Sequence, residues 1–127
     1  MEEVWVMVEA GAVVNQADNQ GSTELHAAAQ YGHVEAIRVL LEAGAEVNQV
    51  DNDGDTALWA AAWKGHVEVI RVLLEAGAEV NQANNEGYTA LHAAAEQGYV
   101  MSIKALLEAG ADVNHKANNG GTPLAVA

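Results

Sequence analysis

Five histidines, His26, His33, His66, His92 and His115, are the first residues to weigh for chemistry, since imidazole is a common metal ligand and general base. No two of them form a close pair of ligand spacing, and the chain has no cysteine. Hydrogen bonding within the fold is therefore the expected role of these rings, and no metal site is assigned. The run Asp51-Asn52-Asp53-Gly54-Asp55 has the residue types of a calcium loop, yet it lacks the spacing and the terminal Glu of one, and reads as a turn. Ser22 and Ser102 stand in no nucleophile motif, the glycines form no phosphate loop, and no two carboxylates are set opposite each other in an apolar pocket. No catalytic residue or cofactor follows, and an enzyme is not expected.

The elements that position these residues repeat. Gly21, Gly54, Gly87 and Gly120 share one register at a period of 33, as do Thr23, Thr56, Thr89 and Thr122. The segments 32–49 and 65–82 differ only at Ala36 and Val69. A fixed period of this length indicates a stack of units that bury their apolar faces on one another, and an extended surface rather than one unique pocket.

Each unit contains two helices. The first opens at Thr, whose side-chain oxygen can accept a free backbone N–H, and is rich in small residues such as Ala27, Ala28 and Ala29. Pro123 suits the first turn of such a helix, where no N–H is needed. Gly32, Gly65 and Gly98 are placed to stop the first helices in a left-handed turn. The second helix carries Val34, Ile37, Leu40 and Leu41 at helical spacing and ends at Gly44, with Gly77 and Gly110 its counterparts. The stretch 46–56 reads as a turn-bearing hairpin loop joining units.

Thr23-Glu24-Leu25-His26, then Gly32-His33, then Leu40 to Asn48 (LLEAGAEVN), with their later counterparts, resemble the ankyrin repeat, and the resemblance covers practically the whole chain. It implies an all-α solenoid of helix-turn-helix units joined by β-hairpin loops. Residues 1–127 then form a single domain, with full units at 18–50, 51–83 and 84–116 and partial units at 1–17 and 117–127. The family's usual Pro after Thr occurs only at Pro123, and Trp59 stands where His26 and His92 stand in the flanking units. The resemblance further implies a protein-binding module whose loop tips and first helices line a concave face. It also makes Asn48, Asn81 and Asn114 candidates for hydroxylation by an oxygen-sensing dioxygenase, Asn81 foremost because it is central.

Within the chain itself, units 18–50 and 51–83 differ at eight positions, and all but Ala36/Val69 and Val50/Ala83 fall on the loop tip and first helix. A constant frame with one varying face separates stability from recognition. Four of the six aromatic residues, Tyr31, Trp59, Trp63 and Tyr88, occupy such positions. Trp59 and Trp63 are four apart, so they project from one helix face, and Trp and Tyr are favoured interface anchors. With Asp53, Asp55, Lys64 and Glu86 around them they form the expected partner-binding site. Trp59 is expected to be partly buried in the space of the family's His, Trp63 less so.

The net charge is −13, from eighteen acidic and five basic side chains. Nucleic acid and acidic membranes are disfavoured as ligands, because both need a basic footprint. The repeated acids Glu42, Glu75 and Glu108 read as a solvated face, whereas Asp53, Asp55 and Glu86 could steer a partner with a basic patch. Absence of cysteine, of a signal-like leader and of a long apolar run places the expected location inside the cell, in the cytoplasm. The stretch from Val4 to Ala12 aligns with the second helix of a unit, leaving Val4, Trp5, Met7 and Val8 as an uncapped edge. That edge predicts weak self-association, with the tail from Pro123 to Ala127 as its counterpart. Two rival readings are a designed or selected binder on the same framework and a substrate of Asn hydroxylation.

Overall fold

The computed structural model describes residues 14–123. Among these residues six helices follow one another in three pairs: α1 (Glu24–Tyr31) with α2 (Val34–Glu42), α3 (Ala57–Lys64) with α4 (Val67–Glu75), and α5 (Ala90–Gln97) with α6 (Val100–Glu108). No strand occurs among the described residues. The expected edge at Val4, Trp5, Met7 and Val8, and the tail beyond Pro123, lie outside them. No helix among the described residues is long and apolar enough to cross a membrane.

Each first helix begins at the threonine expected to cap it. Thr23, Thr56 and Thr89 accept the backbone N–H of His26, Trp59 and His92, respectively. In α1 and α5 the histidine returns the contact: its Nδ1 accepts the N–H of the capping threonine at 3.1 Å for Thr23 and 3.0 Å for Thr89. This reciprocal pair satisfies two of the donors that a helix start leaves open. The helix stops at Gly32, where φ is +73° and the N–H bonds back to the carbonyls of Ala28 and Ala29. A Cβ at this glycine would sit 2.8 Å from His66 Nδ1, so the position is closed by the next unit as well as by its backbone angle.

First helices pack on first helices (α1 on α3, α3 on α5) and second on second (α2 on α4, α4 on α6), with each pair also packed internally. Alanines make the first row dense: Ala29, Ala61, Ala62 and Ala94 have no exposed surface. Ile37, Ile70, Leu73 and Leu106 fill the second row with none exposed either. Burial of such a side chain is worth about 1.5–3 kcal/mol, which is what holds helices of eight or nine residues that would be marginal alone. Val34, Leu40 and Leu41, expected on the buried face, are only partly buried.

The loops close on themselves and then on one another. Asp51 Oδ1 accepts the N–H groups of Asp53 and Asp55, both at 2.9 Å, and the Gly54 N–H reaches the Asp51 carbonyl at 3.0 Å. One backbone bond then links each loop to its neighbour: Asn52 N–H to the Gln20 carbonyl at 2.9 Å, and Asn85 N–H to that of Asp53 at 3.0 Å. The loops thus turn back as hairpins do, but a single bond per step is too little to make a ladder.

Candidate functional site

A shallow groove of about 180 Å³ runs along α3, between it and the loop-and-helix segment of the preceding unit. Its lining is Ser22, His26, Gln30, Asp51, Asp55, Trp59, Ala60, Trp63 and Lys64. The cap at Thr56 fixes the start of α3, and the helical repeat then sets Trp59 and Trp63 one turn apart. Their rings stack nearly parallel, 5.4 Å between centroids at 11°, and both are half-buried. Trp59 Nε1 is buried and has no hydrogen-bond partner. An unmatched buried donor of this kind costs about 1–3 kcal/mol.

The acidic end of the groove lies in the loop before α3. Carboxylate oxygens of Asp51, Asp53 and Asp55 lie within 4.8 Å of one another. Asp55 Oδ1 accepts from Asn84 Nδ2 of the following loop at 2.9 Å. Burial raises the Asp55 carboxyl above its ordinary pKa; Asp51 and Asp53 push the same way, while the Asn84 bond and His26 oppose. Sequence had made this run a turn with no metal role. The structure shows the turn and also draws the three carboxylates together, hard oxygen donors that number three against the six to eight Ca²⁺ takes. Asp51 Oδ1 is already engaged by two backbone N–H groups, so much of its lone-pair capacity goes to shaping the loop. At the other end Lys64 is exposed and makes no ion pair among the described residues.

Histidine forms the opposite wall. His26 Nδ1 accepts the Thr23 N–H, so its proton sits on Nε2, which donates to the Asp55 carbonyl at 2.9 Å. His92 repeats this with the Gly121 carbonyl at 3.1 Å, and His66 Nε2 lies 3.0 Å from the Gln30 carbonyl. The expected hydrogen-bonding role therefore fits these three; His33 is exposed, its ring 6.2 Å from that of Tyr31. Burial holds the His92 imidazole below its ordinary pKa, and the charge of His115, 5.9 Å away, acts in the same direction.

Of the residues singled out from sequence, Asp55, Trp59, Trp63 and Lys64 line the groove, and Asp53 adjoins it through the carboxylate cluster. Tyr31, Glu86 and Tyr88 do not. Tyr31 is 66% exposed at the end of α1. Tyr88 is held by Asn119, whose Nδ2 donates to its hydroxyl at 2.9 Å, and its ring meets His92 edge-on. Glu86 is an exposed loop residue whose carbonyl accepts from Asn118. Sequence reasoning omitted Ser22, His26, Gln30 and Asp51. Three of these could have been found, because Ser22/Asp55, His26/Trp59 and Gln30/Trp63 are pairs at which the two near-duplicate units differ.

The asparagines form a separate ladder. Asn48 Nδ2 donates to the Gly77 carbonyl at 3.3 Å while its Oδ1 accepts the Glu79 N–H at 2.8 Å; Asn81 bridges Gly110 and Asp112 in the same way at 3.3 and 2.7 Å. The backbone N–H of Asn114 bonds to Asp112 Oδ1 at 2.9 Å.

Two family models match the chain. One, described as "Ankyrin repeats (3 copies)", covers residues 2–84, and the other, "Ankyrin repeats (many copies)", covers residues 73–127. A search of curated proteins finds no match.

Proposed function

The chain belongs to the ankyrin-repeat family, and from that membership we propose that it captures a protein partner on the concave face formed by its loop tips and first helices, in the groove along α3. Ankyrin repeats are generally protein–protein interaction modules, a non-catalytic fold. One observation supports this reading above the rest. Seven of the nine residues that line the groove stand at positions where two otherwise near-identical units disagree: Ser22, His26 and Gln30 on one side, Asp55, Trp59, Trp63 and Lys64 on the other. Frame residues that only hold the stack have no reason to diverge there. A half-buried indole pair beside carboxylates supplies an apolar anchor with a polar rim, the composition that interface centres favour. The negative balance and the acidic end of the groove favour a partner with a basic patch.

Affinity capture followed by mass spectrometry tests the proposal, with Trp63→Ala against Glu35→Ala/Glu68→Ala on the exposed surface of the second helices. Loss of the captured partner with Trp63→Ala alone is expected, since removing a central anchor costs about 2 kcal/mol or more. Loss with the second-helix variant and not with Trp63→Ala would move the site elsewhere.

A further inference from the structure

The two ends of the groove carry opposite charges, and the helix between them sets their separation. Asp51 and Asp55 lie at the N-terminal end of α3 and Lys64 at its C-terminal end. Eight helical residues at 1.5 Å each place these ends about 12 Å apart. An extended peptide advances about 3.3 Å per residue, so it covers that distance in about four residues. Between the ends lie the two indoles, stacked and half-buried.

Resting on the reading of the groove as a partner site, we infer that its occupant is an extended peptide segment that sets an arginine against Asp55 and the indole pair, and an acidic residue about four positions away against Lys64. Arginine fits better than lysine for two physical reasons. A guanidinium is planar and weakly hydrated, so it lies flat on an indole, where a cation is attracted to the ring face. It also presents a fork of N–H donors to a carboxylate, and Asp55 has its Oδ2 available because Asn84 takes only Oδ1. An ammonium offers a compact, strongly hydrated charge that gains less from either surface. The Asp55 carboxyl, raised by burial and by its two acidic neighbours, is a group that a bound cation would relieve. At the far end the Lys64 ammonium lacks an ion-pair partner among the described residues, and an acid on the peptide supplies one.

The test uses the full chain and the synthetic peptide Gly-Arg-Ser-Gly-Ser-Glu-Gly, followed by the indole N–H resonances of Trp59 and Trp63. Saturable shifts are expected, with the Arg→Lys peptide binding about tenfold more weakly. The Glu→Gln peptide should lose up to about fivefold, as an exposed ion pair allows. That loss should vanish on Lys64→Gln, which removes the charge at an exposed position. Equal binding of the arginine and lysine peptides, or no saturable shift with either, overturns the inference. The parent reading is separable: if the peptides fail while Trp63→Ala still releases a captured protein, the groove remains the site and only its occupant is misassigned. If Trp63→Ala releases nothing, both fall.

Discussion

His26 Nε2 lies 2.9 Å from the backbone carbonyl of Asp55, twenty-nine residues later, and so ties the cap of α1 to the loop that precedes α3. The same ring accepts the Thr23 N–H through Nδ1, so one imidazole caps its own helix and clamps the next unit. His92 and Gly121 repeat the arrangement. Between them the clamp is missing. Trp59 occupies the histidine position of α3, its Nε1 has no partner, and the Tyr88 carbonyl, the counterpart of those of Asp55 and Gly121, accepts only the Asn84 N–H among the described residues. The Asn84–Asp55 side-chain bond crosses that seam, beside the bonds from Asn85 to Asp53 and Asn52. The middle unit thus leaves a buried donor unmatched at the place where the groove gains its aromatic wall.

Trp59→His should therefore stabilise the stack. It removes a buried unmatched donor and allows the reciprocal cap on Thr56 together with a bond to the Tyr88 carbonyl. Those gains outweigh the lost ring area by about 1 kcal/mol. Urea unfolding is the measurement, and a midpoint below that of the parent protein would refute the account. The same variant should weaken the proposed partner contact, because Trp63 loses its stacking neighbour.

Most of this frame was legible in the sequence because its causes are local. Thr23, Thr56 and Thr89 announce helix starts and Gly32, Gly65 and Gly98 announce stops, and the structure uses each accordingly. The groove was legible by halves. Trp59 and Trp63 stand out by residue type and spacing. Ser22, His26 and Gln30 do not, since their part in the groove arises from packing α1 on α3, a contact between residues some thirty apart. Tyr31 and Tyr88 lie outside the groove for the same reason: both are aromatic at variable positions, yet one ends α1 in solvent and the other is tied to the following loop.

Gly32 and Gly44 offer a paired test of why the stack needs glycine. Both are left-handed, at φ +73° and +97°. A Cβ on Gly32 meets the His66 ring at 2.8 Å, whereas one on Gly44 meets nothing within 4 Å among the described residues. Gly44→Ala should thus show backbone strain alone, about 1 kcal/mol. Gly32→Ala should cost clearly more, because His66 must also release the Gln30 carbonyl. Equal losses in thermal unfolding would show that neighbouring units do not constrain this turn.

Stability should fall on mild acidification, with His92 as one cause. Its folded pKa is below the ordinary 6.5, first through burial. Between those two values the unfolded chain binds more protons than the folded one, so stability is full above 6.5 and declines as pH drops through the folded pKa. Protonation also removes the Nδ1 lone pair that accepts the Thr89 N–H. Asp55 has the opposite sign: its raised pKa means that protonation toward the ordinary 3.8 relieves a folded-state penalty. Melting temperatures of the parent and of His92→Gln, followed from pH 7.5 down, should converge on acidification. Parallel curves would remove His92 from the explanation.

The asparagine ladder ties each unit to the next through one side chain. Asn48 and Asn81 each join two backbone groups of the following unit, so Asn48→Ala and Asn81→Ala should each cost about 1–2 kcal/mol. Urea unfolding is the check, and a loss within about 0.5 kcal/mol of the parent at both would show that the bridges carry no net stability. The same geometry opposes hydroxylation at these two positions, because a carboxamide must leave both bonds before an enzyme can hold it. On incubation with an asparaginyl dioxygenase and its cofactors, peptide mass mapping should show no added oxygen at Asn48 or Asn81 in the folded stack. Oxygen added at Asn81 would mean that the ladder opens faster than its two bonds imply.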